Sequence, residues 1–175
     1  MRKLKITELN RLTPNEYKKI SKNNIVVILD NIRSLNNIGS VFRTADAFKL
    51  HSIMLCGITA TPPHNEIHKT ALGAEDTVEW NYYENTEDAI NKLKKEGFKI
   101  IAIEQVDTSI SLEKFNFDSK EKYALIFGNE VKGVQQKVID LSDFSIEIPQ
   151  FGTKHSLNIS VSAGIVLWEA AKTNF

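Results

Sequence analysis

Ile25-Val26-Val27-Ile28-Leu29 is an uninterrupted apolar run rich in β-branched side chains, and Asp30-Asn31-Ile32-Arg33-Ser34-Leu35-Asn36-Asn37 separates it from a helical pattern over 38–48. A short run that is apolar at consecutive positions predicts a strand buried on both faces. The same alternation continues along the chain. Strands are predicted over 52–56, 77–80, 99–103, 123–127 and 144–148, and helices over 65–72, 87–96, 134–141 and 157–172. Strand and helix in turn imply βαβ units, hence an α/β fold with a mainly parallel sheet flanked by helices. Gly97 suits the end of the helix before it.

Around this core the sequence reads as one domain. The chain has 175 residues and a mass of 19.8 kDa, with no internal repeat, low-complexity tract or linker. At 42% hydrophobic and 25% charged it is globular in composition, neither disordered nor fibrous. Cys56 is the lone cysteine, which excludes an intrachain disulfide and a multi-cysteine zinc site and points to a reducing compartment. The longest apolar stretches, 25–29 and 164–168, are far short of the roughly 20 residues that span a bilayer. Met1-Arg2-Lys3-Leu4-Lys5 is followed by no apolar core, so it does not read as a signal peptide. The expectation is a soluble, cytoplasmic protein without membrane contact.

Lysine plus arginine and aspartate plus glutamate each number 22, so no global field draws an anionic partner. That excludes a simple polybasic nucleic-acid binder but leaves room for a local basic face. Residues 1–24 hold seven cations against Glu8 and Glu16, and Thr13-Pro14-Asn15-Glu16 looks like a capped helix start. This segment, set apart from a main domain over 25–175, is either a solvated helix or a phosphate-facing lobe. Residues 75–88 carry six acids and no lysine or arginine. That face should repel an anionic partner and direct it to an opposite, N-terminal side.

In parallel sheets ligands gather beyond the carboxyl ends of the strands, and three polar loops fall there. In the first, Asn37 is a plausible N-cap, Gly39 permits close approach, and Arg43 lies near the helix mouth, where anions are attracted. The plain alternative makes Asn37 a cap and Arg43 a surface cation. In the second, Gly128, Glu130 and Gly133 follow an apolar strand without the spacing of a Rossmann or P-loop fingerprint. Glu130 there either serves chemistry or complements a helix dipole. In the third, Ile148-Pro149 leads through Gly152 to Ser156-Leu157-Asn158 and a helix rich in small side chains, with Ser156 as a possible cap. His64 and His68 sit four apart without a third ligand or the H-E-x-x-H pattern, so no metal is expected; a helix start and, with Lys69, contact with an anionic substrate suit them better.

Taken in order, these loops resemble one family closely, the SpoU (TrmH-like) RNA ribose 2′-O-methyltransferases of the SPOUT superfamily. Asn37, Gly39, Arg43, Thr44 and Ala45 match its first motif, and Gly128, Glu130 and Gly133 its second. Ile148, Pro149, Gly152, Ser156, Leu157, Asn158 and Ser160 match its third, with Ile159 in place of valine. The resemblance covers roughly residues 25–173. It implies a C-terminal trefoil knot, S-adenosylmethionine as methyl donor, a homodimer with active sites near its interface, and RNA as substrate, transfer RNA ahead of ribosomal RNA. It further implies catalytic roles for Arg43, Asn37, Glu130, Ser156 and Asn158, with Glu130 orienting Arg43 or another cation. Donor contacts would come from Gly128, Ile148, Leu157 and the turn at Ile103 and Glu104. A guanidinium keeps its proton in proteins, so Arg43 would either activate the 2′-hydroxyl or position a phosphate and stabilise alkoxide charge. The alternative is a knotted RNA-binding or assembly protein without catalysis. A base-methylating enzyme of the same superfamily fits the first motif less well. With no long extension flanking the domain, target selection would rest on residues 1–24 and surface loops.

Overall fold

The computed structural model describes residues 1–174. Its strands are β1 (Ile25–Asp30), β2 (Ser52–Cys56), β3 (Trp80–Tyr83), β4 (Lys99–Ile103), β5 (Ile110–Ser111), β6 (Tyr123–Phe127) and β7 (Phe144–Glu147). Among the described residues they form one seven-stranded sheet in the order β3-β2-β1-β6-β4-β7-β5, every pairing parallel. The helices are α1 (Pro14–Lys19), α2 (Leu35–Ala47), α3 (Asn65–Ala71), α4 (Thr86–Lys95), α5 (Gln136–Asp140) and α6 (Ile159–Ala171).

The consecutive apolar run of β1 has a direct structural use. Ile25, Val27 and Leu29 point into a cluster with Phe42 of α2, Ile67 of α3 and Leu167 of α6. Val26 and Ile28 point the other way, against Ile90 and Leu93 of α4 and Val138 of α5. A strand's side chains alternate between faces, so helices on both sides demand apolar residues at every position. All six residues of β1 are buried, Asp30 included.

Differences from the sequence expectations cluster at element ends. The third strand lies over Trp80–Tyr83 rather than 77–80, because a 3-10 turn at Ala74–Asp76 draws in the next residues: Thr77 and Val78 donate their N–H groups to Ala74 O. The first-loop helix starts at Leu35, capped by Ser34, whose Oγ accepts from Asn37 N, so Asn37 sits inside the first turn rather than at the cap. The last helix is capped by Asn158 and not by Ser156. β5, two residues at the sheet edge, has too little pattern to be seen in sequence. The capped start of α1 is present, with Thr13 N donating to Glu16 and Glu16 N to Thr13 Oγ1. Among the described residues no helix is long and apolar enough to cross a membrane.

Gly39 fixes how closely α2 meets α3. A Cβ built there would lie 2.1 Å from Thr70 Oγ1 and 2.2 Å from Ile67 O, inside any contact distance. Gly39→Ala should therefore push α3 outward. Overpacking of this kind costs about 1–3 kcal/mol, and each kcal/mol moves the midpoint of a chain this size by about 2–4 °C. Thermal unfolding should show the drop; an unchanged midpoint would mean that the two helices separate at no cost.

Candidate active site

The second-motif loop leaves β6 and closes on itself. Asn129 N donates to Gly133 O at 3.0 Å and Gly133 N returns to Asn129 O at 2.8 Å. Inside the ring Asn129 Oδ1 accepts from Val131 N and Lys132 N. The glycines follow from this closure. A Cβ on Gly128 would lie 2.2 Å from the Gly133–Val134 peptide, and Gly133 adopts φ +67°, with its Cβ position 2.3 Å from Glu104 Oε2. Glu104, just beyond β4, braces the loop from outside: Oε2 accepts from Val134 N and Oε1 from Gln105 N, both at 2.9 Å.

The ring presents Glu130 to the start of α2. Its carboxylate accepts from Arg33 N at 3.0 Å, Ser34 N at 3.0 Å and Asn37 Nδ2 at 3.1 Å. Asn129 Nδ2 adds a 2.7 Å bond to Asn31 O. Glu130 thus serves the N-terminus of a helix remote in sequence, where unpaired N–H groups and the dipole favour an anion. Arg43, the expected partner, is not bonded to it among the described residues; the backbone of the first loop takes its place. Burial alone pushes the Glu130 carboxyl up, but the bonds from Arg33, Ser34 and Asn37 outweigh it and hold the group below its ordinary 4.5.

A third carboxylate completes the arrangement. Asp30, buried at the end of β1, accepts from Thr86 Oγ1 at 2.6 Å, Asn31 Nδ2 at 2.8 Å and Gln135 Nε2 at 2.9 Å. It fixes Gln135, where the second-motif loop runs into α5.

Between this loop, the β4 turn and residues 148–159 lies a cleft of about 560 Å³. Ile103, Glu104, Gly128, Glu130, Ile148, Ser156, Leu157 and Asn158 all line it. Asn37 and Arg43 do not. Asn37 is buried and reaches the site through Glu130, while Arg43 is exposed along α2. The third loop is held by Gln105 Nε2, which donates to His155 O at 3.2 Å, and by Asn158 Oδ1, which accepts from Ser160 N. Lys132, Gln150 and His155 also line the cleft and were not anticipated. The ring at Asn129 was missed too, although an asparagine flanked by Gly128 and Glu130 is a usable turn signal.

Elsewhere the structure redirects two expectations. His64 caps α3 by accepting from Glu66 N, His68 pairs with Glu75 at 2.5 Å, and Lys69 pairs with Glu66 at 2.5 Å. Among the described residues no cluster of potential metal ligands occurs. The N-terminal cations are not opposite the acidic stretch: Lys18 and Lys22 line a second cavity together with Glu75, Asp76 and Glu79. Lys22 turns inward, its ammonium bonded to Tyr17 O and lying 3.8 Å from the Tyr17 ring centroid. The same cavity is lined by Trp80 and Asn81 of β3, so it joins the two segments.

These features define an α/β protein whose cleft is bounded by the second and third polar loops and the β4 turn, at the carboxyl ends of parallel strands. The chain belongs to the SpoU rRNA Methylase family, whose family model matches residues 24–168. It is 34% identical over 151 residues to an uncharacterized tRNA/rRNA methyltransferase of Borreliella burgdorferi, covering 86% of this chain and 65% of that protein. It is 30% identical over 157 residues to the tRNA (guanosine(18)-2′-O)-methyltransferase of Aquifex aeolicus, covering 85% and 69%. The crystal structure of an AdoMet-bound rRNA methyltransferase from Sinorhizobium meliloti superposes with a TM-score of 0.80 at 29% identity, covering 93% of this chain and 61% of that one. The chain therefore spans less than two thirds of several relatives it matches.

Glu130 offers a direct test of the assembled site. Its depressed pKa means that its stabilising bonds are fully present above the ordinary 4.5 and are lost as pH falls through the lower native value. Carboxyl-resolved NMR titration should give a midpoint below 4.5 for Glu130, and Glu130→Gln should remove that titration and weaken the acid-side fall in stability. A midpoint at or above 4.5 would contradict the contact with α2.

Proposed function

We propose that this protein transfers a methyl group from S-adenosylmethionine to a ribose 2′-hydroxyl of RNA, with transfer RNA the preferred substrate over ribosomal RNA. The observation that carries the reading is the convergence of the second- and third-motif residues on one cleft, in a chain of this family. Small-molecule clefts run from about 300 to 1,000 Å³, and about 560 Å³ falls in that range. Its walls also suit the donor: Ile103, Ile148 and Leu157 supply apolar surface for an adenine, and Gly128 belongs to the same lining. When bound, the donor supplies an electrophilic methyl on a sulfonium sulfur.

The chain's own residues orient and polarise. Ser156 and Asn158 border the cleft and align ribose and donor. Glu130 holds Asn37 and the first loop in register rather than abstracting a proton, since its oxygens are engaged by N–H donors. Arg43 positions a phosphate and stabilises developing negative charge on the ribose oxygen. It lies outside its own cleft, which supports its service to the cleft of a second copy. The exposed faces of Val161 and Ile165 on α6, with Trp168 half-exposed while packing edge-on against Phe48, support a homodimer. The remaining features of the reading are a trefoil knot formed by the C-terminal segment, residues 1–24 as an N-terminal helical segment before a methyltransferase domain over 25–175, and a cytoplasmic location. The onset of the family match at residue 24 supports that division.

Two experiments test this. Calorimetry should detect donor binding, and Arg43→Ala should bind donor as tightly while losing about 10²–10³-fold in methyl transfer to bulk RNA, the cost of removing a group that stabilises transition-state charge. Lysine should rescue poorly for want of the planar fork. Mixing Arg43→Ala with Asn158→Ala should restore activity that neither has alone; no restoration would place Arg43 in its own subunit's site. Light scattering should give about twice 19.8 kDa, and Ile165→Glu should lower the mass toward one chain. A wild-type monomer that methylates RNA would refute the shared site.

A further inference from the structure

Phe151 lies in the loop between β7 and α6, and its side chain is 96% exposed. An aromatic ring held out in water gains nothing from folding. The other exposed aromatic rings have roles within the protein: Tyr82 donates to Gly57 O, Phe144 packs against Phe115, and Trp168 packs on Phe48. Phe151 has no such contact among the described residues. Its place in the chain is specific, because the adjacent Gln150 and the nearby His155 both line the cleft.

The charge around it completes the pattern. Lys154 and His155 are exposed in the same loop, and Lys132 is exposed on the facing second-motif ring. Neither lysine takes part in an ion pair among the described residues, whereas Lys69, Lys99 and Lys137 elsewhere on the surface do. A flat apolar ring beside unpaired cations has the chemistry of a single-stranded nucleic-acid contact, with the ring for a base and the ammonium for a phosphate.

A nucleotide that brings its ribose to the cleft from a single-stranded loop or bulge carries an unstacked base. That base lacks a stacking partner and needs a replacement. We propose that Phe151 is that replacement, a stacking platform for an unstacked base of the RNA, with Lys154 on the flanking phosphate. The inference rests on RNA being the substrate. It makes Phe151 a determinant of RNA affinity and not of donor binding, and it predicts tolerance of base identity, because every base has a π-face.

The test uses the full chain, a pool of transcribed transfer RNAs, and a short single-stranded RNA with or without one abasic site. Base–aromatic stacking is worth roughly 5- to 150-fold in affinity, so Phe151→Ala should weaken binding of the pool by about tenfold. Phe151→Leu should behave like alanine, and Phe151→Trp should restore wild-type affinity. The slope of log affinity against log salt should stay constant in Phe151→Ala and flatten by about 0.7 to 0.9 in Lys154→Gln. The abasic strand should bind wild type and Phe151→Ala alike. Pool affinity unchanged in Phe151→Ala, or a loss confined to donor affinity or dimer mass, would overturn the proposal. Unchanged affinity with normal methyl transfer would leave the catalytic reading intact. Phe151-dependent binding by a wild-type protein that transfers no methyl would support stacking and overturn the catalytic reading.

Discussion

The site depends on carboxylates that accept from N–H donors instead of pairing with cations. Glu130 takes the first N–H groups of α2, and Glu104 takes Val134 N. Asp30 takes both the side chain and, at 3.3 Å, the backbone of Gln135. Each joins segments far apart in sequence at one end of the sheet. Hydrogen bonds to a charged group are worth about twice those between neutral ones, so the loops gain definition without a metal or disulfide. A second consequence follows. Lys132, which lines the cleft, and Lys154, in the loop that borders it, are left outside the ion pairs of the described residues, so a chain of zero net charge keeps free cations there.

The sheet was legible because of its burial. β1, β2, β4 and β6 are covered on both faces, so their apolar runs stand out at consecutive positions, and their bounds match the sequence reading to within a residue. β3 was misplaced because it is an edge strand with outward polar residues, and the apolar Val78, just after the preceding 3-10 turn, imitates its start. Strand order was not legible, since which runs pair is decided by the crossovers.

The site was legible as residue types and not as contacts. Gly39 announced close approach and the structure supplies what approaches it, whereas Gly128 and Gly133 were read only as motif glycines and prove to make room for the closed loop and for Glu104. Two of Glu130's three partners were hidden because they are the backbone N–H groups of Arg33 and Ser34, nearly a hundred residues away, which leave no side-chain signature; the third, the Asn37 amide, was singled out in the sequence but not paired with Glu130. Arg43 was grouped with the cleft on family pattern. Its place on α2 separates it from the cleft of its own chain, and the proposed service to a second copy rests on that division. The N-terminal cations were read by count alone. Lys18 and Lys22 line one cavity with Glu75, Asp76 and Glu79, which shows why a count of charges does not locate a binding face.

The account stands on the ribose oxygen as methyl acceptor. The most direct measurement is to incubate the protein with bulk RNA and a donor carrying an isotopically labelled methyl, digest the RNA to nucleosides, and locate the label by fragmentation in a mass spectrometer. The account predicts label on the ribose fragment, as a 2′-O-methyl group. Label on the base fragment, or none in RNA while calorimetry shows donor bound, would contradict it.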